Sequence, residues 1–308
     1  MSKFKEGQPH YIRMSDLMLS NYKTLEKSYA NKSKVRNGIS TGFEQLDSLT
    51  QGLKKGGVTI VGGRPHMGKT MLLANIARHV GTKSVDSGAV LIFSLEKEAE
   101  DFSMSMLAAQ SEVEMSKLKT GRFSSSNWRS LAHASGNLAE SSIFVSEESP
   151  ISIEDIHERC CEVNDIEPLG LVVIDSLQLI QGFDWSHKRQ SNVLNIVSEL
   201  KRLAMKLNVQ ILISTRTAMP SVRRKENRPC LDDLPGGLGL IEREADLILF
   251  LHREEMFSRI PENEGLVEII IAQQKNGPSQ SIRVDLYPDI HRMNQIYDDR
   301  YLNELYPE

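Results

Sequence analysis

Eight consecutive residues, Gly63-Arg64-Pro65-His66-Met67-Gly68-Lys69-Thr70, carry the spacing G-x-x-x-x-G-K-[ST] without a gap. Glycines at both ends let the backbone curl until its N–H groups converge, and such a nest holds phosphate oxygens. The lysine amine adds positive charge for the β- and γ-phosphates of ATP, and the threonine hydroxyl offers a ligand to Mg²⁺. The flanks suit that chemistry. "VTIV" immediately before reads as a buried strand, and "MLLANIARHV" immediately after reads as a helix whose N-terminus favours negative charge. The segment therefore predicts an ATP-binding P-loop rather than an incidental glycine turn.

A loop of this kind needs an acid nearby to hold the magnesium ion or its waters. "LVVIDS" offers Asp175, where an apolar run ends in a carboxylate at the end of a strand. That is the edge at which open α/β sheets bind ligands. A carboxylate after a buried strand is also a common helix N-cap, and the residues alone leave both readings open. Hydrolysis further requires a group that orients or deprotonates the attacking water. Glu96, at the end of "IFSLE", is placed to do so, although "SLEKEAE" also reads as the acidic first turn of a helix.

These residues need a scaffold, and the apolar pattern supplies one. "GVTIVGG", "AVLIFSL", "GLVVIDS", "VQILIST" and "DLILFLH" are short apolar runs separated by helical patterns. They predict buried strands of a mostly parallel sheet with helices on both faces, an α/β fold. Between the third and fourth runs, Val193, Ile196, Val197, Leu200, Leu203, Ala204 and Leu207 mark one face of a helix. "GLVEIIIAQQ" and "SIRVDLY", joined by "KNGPSQ", predict an antiparallel hairpin at one end of the sheet. Ahead of all this, Met14, Met18, Tyr22, Leu25 and Tyr29 form an apolar stripe on a helix of about 14–29. Its stripe must pack on its own domain or dock on a neighbouring subunit. The expected divisions are an N-terminal segment 1–34, an ATPase domain 35–297 and a tail 298–308.

Composition excludes several classes. A net charge of −4 with 25% charged residues is ordinary for a globular chain. No apolar run approaches the roughly 18 residues that cross a bilayer, and the N-terminus lacks the apolar core of a secretory signal. Three cysteines, two of them adjacent, form neither a disulfide framework nor a zinc pattern. A cytoplasmic chain with reduced thiols is expected.

Taken together, the ordered segments resemble the ATPase domain of DnaB-type replicative helicases. The likeness begins with "GISTGFEQLDSLTQGLKKGGVTIVGGRPHMGKT" and runs through "LIFSLEKEAE", "LGLVVIDSLQLI", "ELKRLAMKLNVQILIST", "IEREADLILFLHRE" and "EIIIAQQKNGP", about residues 14–293. The resemblance implies a RecA-like P-loop NTPase fold, a hexameric ring, and ATP-driven movement along single-stranded DNA, 5′ to 3′. It places Glu96 on the family's catalytic glutamate and Asp175 on the Walker B acid. It also makes the early helix an amphipathic linker helix that packs on the next protomer. Residues 1–13 alone precede that helix, so the likeness is to such a helicase without its usual N-terminal domain.

Three departures stand out. A glutamine that senses nucleotide in the family is replaced by Arg216, and "QQKNGP" puts Gln273 and Lys275 where the family has a lysine and an arginine finger. Lys275 offers a neighbour's ATP a point charge but no bidentate fork. "PGGLGL" lacks the family's DNA-contacting arginine, which leaves main-chain N–H groups of Gly236, Gly237 and Gly239 for phosphate. Arg223, Arg224, Lys225 and Arg228, and also Lys188 and Arg189, are basic candidates for a DNA channel or simply solvated loops. Neither patch is interleaved with aromatics, so backbone tracking rather than base stacking is expected. The leading expectation is a ring helicase in DNA replication, with replication proteins as partners and no membrane. The alternative is a DnaB-like ATPase that regulates, loads or competes with a resident helicase. A recombinase-like or signalling member of the wider RecA group is disfavoured by "IEREADLILFL" and "NGP", which resemble the helicase branch.

Overall fold

The computed structural model describes residues 13–30, 38–83, 87–183, 190–218, 227–235, 239–258, 261–275 and 277–297. Nine strands form one sheet in the order β3-β2-β4-β5-β1-β6-β7-β8-β9. The N-terminal half contributes helices α1 (Met14–Ala30) and α2 (Glu44–Thr50), strand β1 (Val58–Gly63), helix α3 (Lys69–Lys83) and strand β2 (Ala89–Ser94). Helices α4 (Ala99–Ser111), α5 (Met115–Thr120) and α6 (Ser125–Ala139) then lead to strand β3 (Ile143–Ser146). Helix α7 (Ile153–Ile166), strand β4 (Leu169–Asp175), helix α8 (Gln190–Leu207), strand β5 (Gln210–Arg216) and helix α9 (Leu240–Glu244) follow. Strands β6 (Leu247–His252), β7 (Leu266–Gln274), β8 (Gln280–Tyr287) and β9 (Arg292–Gln295) complete the sheet.

All seven expected strands are present, and β3 and β9 are additions. Both lack the signal that marked the rest. In β3 no residue is fully buried, and in β9 only Met293 is. β1 through β6 run parallel, while β6 to β9 pair antiparallel, so the hairpin of β7 and β8 belongs to a longer antiparallel end.

Strand residues alternate between two cores. Val61, Val90, Ile92, Leu171, Val173 and Leu212 face α3, where Leu72, Leu73, Ile76 and Val80 are buried. Val58, Ile60, Leu91, Phe93, Val172, Ile174, Ile211 and Ile213 face α7 and α8. The α8 stripe read from the sequence packs there, with Val193, Val197, Leu200 and Ala204 fully covered. Every central strand is thus covered on both sides, which is why each reads as a continuous apolar run.

Helix α7 begins with a capping box at Ser152. Its Oγ accepts from the Asp155 N–H at 3.1 Å, and the Asp155 carboxylate accepts from the Ser152 N–H at 3.2 Å. Ser152→Ala is expected to cost about 1 kcal/mol in urea unfolding; a loss below a few tenths would mean the cap contributes nothing. Burial pushes the Cys160 thiol on α7 up to about 12, so it is inert, and none of the three cysteines is in a disulfide. In α1 the apolar side chains Met14, Leu17, Met18 and Tyr22 are exposed. The side chains of Leu25 and Tyr29 lie outside the described residues, as do segments 31–37 and 298–308. Among the described residues no helix is long and apolar enough to cross a membrane.

Candidate nucleotide site

Register and strand order explain how distant residues meet. β5 lies between β1 and β4, and the pairing sets Gly63 opposite Arg216 and Ile174 opposite Ile213. β2 lies on the other side of β4, with Ser94 opposite Asp175. The C-terminal ends of β1, β5, β4 and β2 therefore present the P-loop, Arg216, Asp175 and Glu96 along one edge. All of them except Asp175 line a cavity of about 520 Å³, large enough for a nucleotide.

The loop from Gly63 to Gly68 makes its turn with His66 at φ 66° and Gly68 at φ 95°. A side chain at Gly68 would be strained there, and its Cβ would come within 2.6 Å of the Met293 side chain. The turn delivers α3 with its N-terminus at the cavity, beginning at Lys69. The Lys69 ammonium donates to the carbonyls of Gly63 and Arg64, each at 2.9 Å. Burial holds it below the ordinary lysine range, against the opposing pull of Asp175 and Glu96. An arriving phosphate would offer it the anion that burial otherwise denies. Pro65, His66, Lys69 and Thr70 line the cavity, while Met67 is buried beneath it in the core. Arg64 instead lies over the Phe257 ring at 4.9 Å.

Asp175 is 3% exposed, and burial pushes its carboxyl up. Hydrogen bonds from the Ser214 and Thr70 hydroxyls oppose that shift. The N-cap reading of Asp175 fails, because the next helical turn starts at Leu177 with Ser176 as its cap and no side-chain cap bond. The Thr70 hydroxyl and the Asp175 carboxylate are hard oxygen donors of the kind Mg²⁺ takes together with phosphate oxygens and water. Glu96 lies just beyond β2, and its N–H donates to the Asp175 carbonyl at 3.2 Å. It is not in a helix, since α4 starts at Ala99 with Glu98 as its cap. Its Oε1 accepts from Ser176 Oγ at 2.8 Å and from Arg216 Nη2 at 3.0 Å.

Other expected residues are elsewhere. Lys275 does not reach this cavity in its own chain; its ammonium lies 2.9 Å from Asp246 Oδ1 at the opposite end of β6. Lys201 meets the other oxygen of Asp246 at 2.5 Å. Burial alone would raise the Asp246 carboxyl, but hydrogen bonds from Lys201, Lys275 and the Val58 N–H hold it below its ordinary value. Gln273 donates to the Glu242 carbonyl at 2.7 Å. Of the proposed DNA contacts, Gly239 is described, at φ 81° as the cap of α9. Lys188, Arg189, Arg223, Arg224, Lys225, Gly236 and Gly237 lie outside the described residues. Arg228, from the same basic cluster, is engaged with Glu268 at 2.5 Å.

Several residues of the site escaped sequence reading. Ser176 and Ser214 hold the two acids, and Arg253 donates to the His66 carbonyl at 2.9 Å. Phe102, Leu286, Pro288 and His291 also line the cavity and give it apolar surface. Burial, with Lys97 and Lys119 nearby, lowers the His291 pKa, which favours a neutral ring there. Only the adjacency of Ser176 to Asp175 was readable in advance; the rest depends on strand order.

A parallel sheet of this order with a P-loop, a buried acid and a second acid at one edge defines a RecA-like P-loop NTPase. Residues 38–295 match the family described as the DnaB-like helicase C terminal domain, and the chain belongs to that family. It is 34% identical over 293 residues to the replicative DNA helicase DnaC of Bacillus subtilis, covering 94% of this chain and 64% of that protein. It is 35% identical over 275 residues to the replicative DNA helicase DnaB of Geobacillus stearothermophilus, covering 89% and 60%. The chain thus spans less than two thirds of these curated relatives. Among solved structures, that of a DnaB-like replicative helicase, solved to show its interactions with primase, superposes with a TM-score of 0.80 at 23% identity. The match covers 94% of this chain and 68% of that one. That likeness bears on the fold.

Proposed function

We propose that this chain is the motor of a ring-forming DNA helicase of DNA replication, driven by ATP. The observation that carries the reading is the convergence of Lys69, Thr70 and Glu96 on one cavity, with the buried Asp175 beside them at the end of β4. The P-loop amides and Lys69 hold the phosphates, and Thr70 with Asp175 holds Mg²⁺ and its waters. Bound Mg²⁺ would polarise the β- and γ-phosphoryl oxygens. Glu96 orients a water and accepts its proton. Protomers associate head to tail, as ring closure requires, with the exposed Met14, Met18 and Tyr22 of α1 on the neighbour and Lys275 directed at the neighbour's nucleotide. Single-stranded DNA passes residues 188–189, 223–225 and 236–239, and movement runs 5′ to 3′. The segment 1–34 serves as the linker, 35–297 as the motor and 298–308 as a tail, in a cytoplasmic protein.

A regulatory ATPase of the same family, one that does not unwind DNA, is the second reading. The ion pair of Arg216 with Glu96 favours it, because the cation engages the acid that hydrolysis needs. Steady-state ATP hydrolysis with and without single-stranded DNA separates the two, with Lys69→Ala as the blank. The motor reading expects severalfold stimulation by DNA that weakens as salt rises. Hydrolysis indifferent to DNA would refute the motor and support the regulatory ATPase.

A further inference from the structure

Arg216 closes β5 at the edge of the cavity, and its partner there is the acid expected to activate water. One carboxylate oxygen of Glu96 carries two contacts, Ser176 Oγ at 2.8 Å and Arg216 Nη2 at 3.0 Å. The two contacts differ in kind. Ser176 follows Asp175 directly and belongs to the framework beneath the acid. Arg216 is the last residue of β5, half exposed at 52%, and faces the phosphate cavity together with Glu96. Its long side chain is free to trade one anion for another at little steric cost. Glu96 offers one carboxylate whether or not a nucleotide is bound. A γ-phosphate offers nearly two charges and several acceptor oxygens, but only when a triphosphate is bound.

We propose that Arg216 is a nucleotide-responsive restraint on Glu96. It holds the carboxylate when no γ-phosphate is present and exchanges it for γ-phosphate oxygens when a nucleoside triphosphate binds. This rests on the reading of the cavity as an ATP site with Glu96 as the water-activating group. After the exchange Glu96 keeps its Ser176 bond and stays in position, while its carboxylate, no longer neutralised by the guanidinium, is left to act on the water. The water oxygen then bonds to the γ-phosphorus, and its proton passes to Glu96. The bond from the γ-phosphorus to the bridging oxygen breaks, and ADP leaves with that electron pair. ADP alone lacks the group that draws Arg216 away, so the acid is sequestered again after each turnover.

The test is a double-mutant cycle on nucleotide affinity, read by calorimetric titration in Mg²⁺ buffer. The probes are ADP and a non-hydrolysable imido analogue of ATP. The proteins are wild type, Glu96→Gln, Arg216→Gln and the double variant, each checked for folding by thermal melting. Glu96→Gln is expected to tighten the triphosphate analogue about fivefold, since binding no longer has to break the ion pair. In the Arg216→Gln background the same change should gain clearly less, and ADP affinity should stay within about twofold throughout. Arg216→Lys, which keeps the charge, should retain part of the coupling and serves if the glutamine variant does not fold. A Glu96→Gln gain as large without Arg216 as with it would overturn the proposal, because the two charges would then act independently. A wild-type chain that binds neither nucleotide would instead overturn the ATP-site reading beneath it.

Discussion

Replacing Glu96 by glutamine will lower the rate of ATP hydrolysis by about 10²- to 10⁴-fold, the usual contribution of a positioned general base. The substitution preserves shape. The amide oxygen still accepts from Ser176 Oγ, now 2.8 Å away, so the side chain is expected to remain in place. What it loses is the ability to take the proton of the attacking water. Nucleotide binding should survive, because the phosphates are held by the P-loop and Lys69 rather than by Glu96. Steady-state hydrolysis measured beside nucleotide titration separates the two effects. A loss below about tenfold with binding intact would assign water activation to another group. Weakened binding in step with the rate would show that Glu96 shapes the pocket instead.

The second large effect concerns the fold. In β4, a Cβ on Gly170 would stand 1.6 Å from the Ser87 carbonyl oxygen and 3.3 Å from the Gly88 Cα. Neither atom belongs to a flexible side chain, so relief requires the backbone entering β2 to move. That segment sits where the pairing of β2 with β4 changes register, between Ala89 and Val90. Gly170→Ala is expected to cost about 3 kcal/mol or more in urea unfolding, at the upper end of overpacking effects. Because β2 and β4 deliver Glu96 and Asp175, hydrolysis should fall even in the folded fraction. Gly136, exposed within α6 with nothing near its missing Cβ, is the control. Gly136→Ala should stabilise by roughly 0.5–1 kcal/mol, through helix propensity alone. Equal effects at the two glycines would discard the steric argument at Gly170.

Much of this protein was readable from its residues because the relevant physics is local. A P-loop is eight residues whose glycines and lysine act within one turn, and "VTIVGGRPHMGKT" already contains the strand, the loop and the helix start. The buried strands announced themselves because both faces of each are covered, and α8 showed a stripe because one of its faces is buried and the other is exposed. Asp175 and Glu96 were identifiable as acids closing apolar runs. Sequence could not separate cap from ligand, or helix turn from strand end, since each choice depends on where the next element begins.

Tertiary structure decided everything that depends on strand order. The insertion of β5 between β1 and β4 brings Ser214 to Asp175 and sets Arg216 against Glu96 across 120 positions of chain. No spacing rule links those residues. Likewise β9 and the turn before it return to α3, where the Asn75 side chain donates to the His291 carbonyl at 3.1 Å and closes the cavity. Lys275 met Asp246, not a phosphate of its own chain, because β6 and β7 carry it to the far end of the sheet. Periodicity reports which side chains a strand buries; which strand lies beside it is settled by packing across the whole sheet.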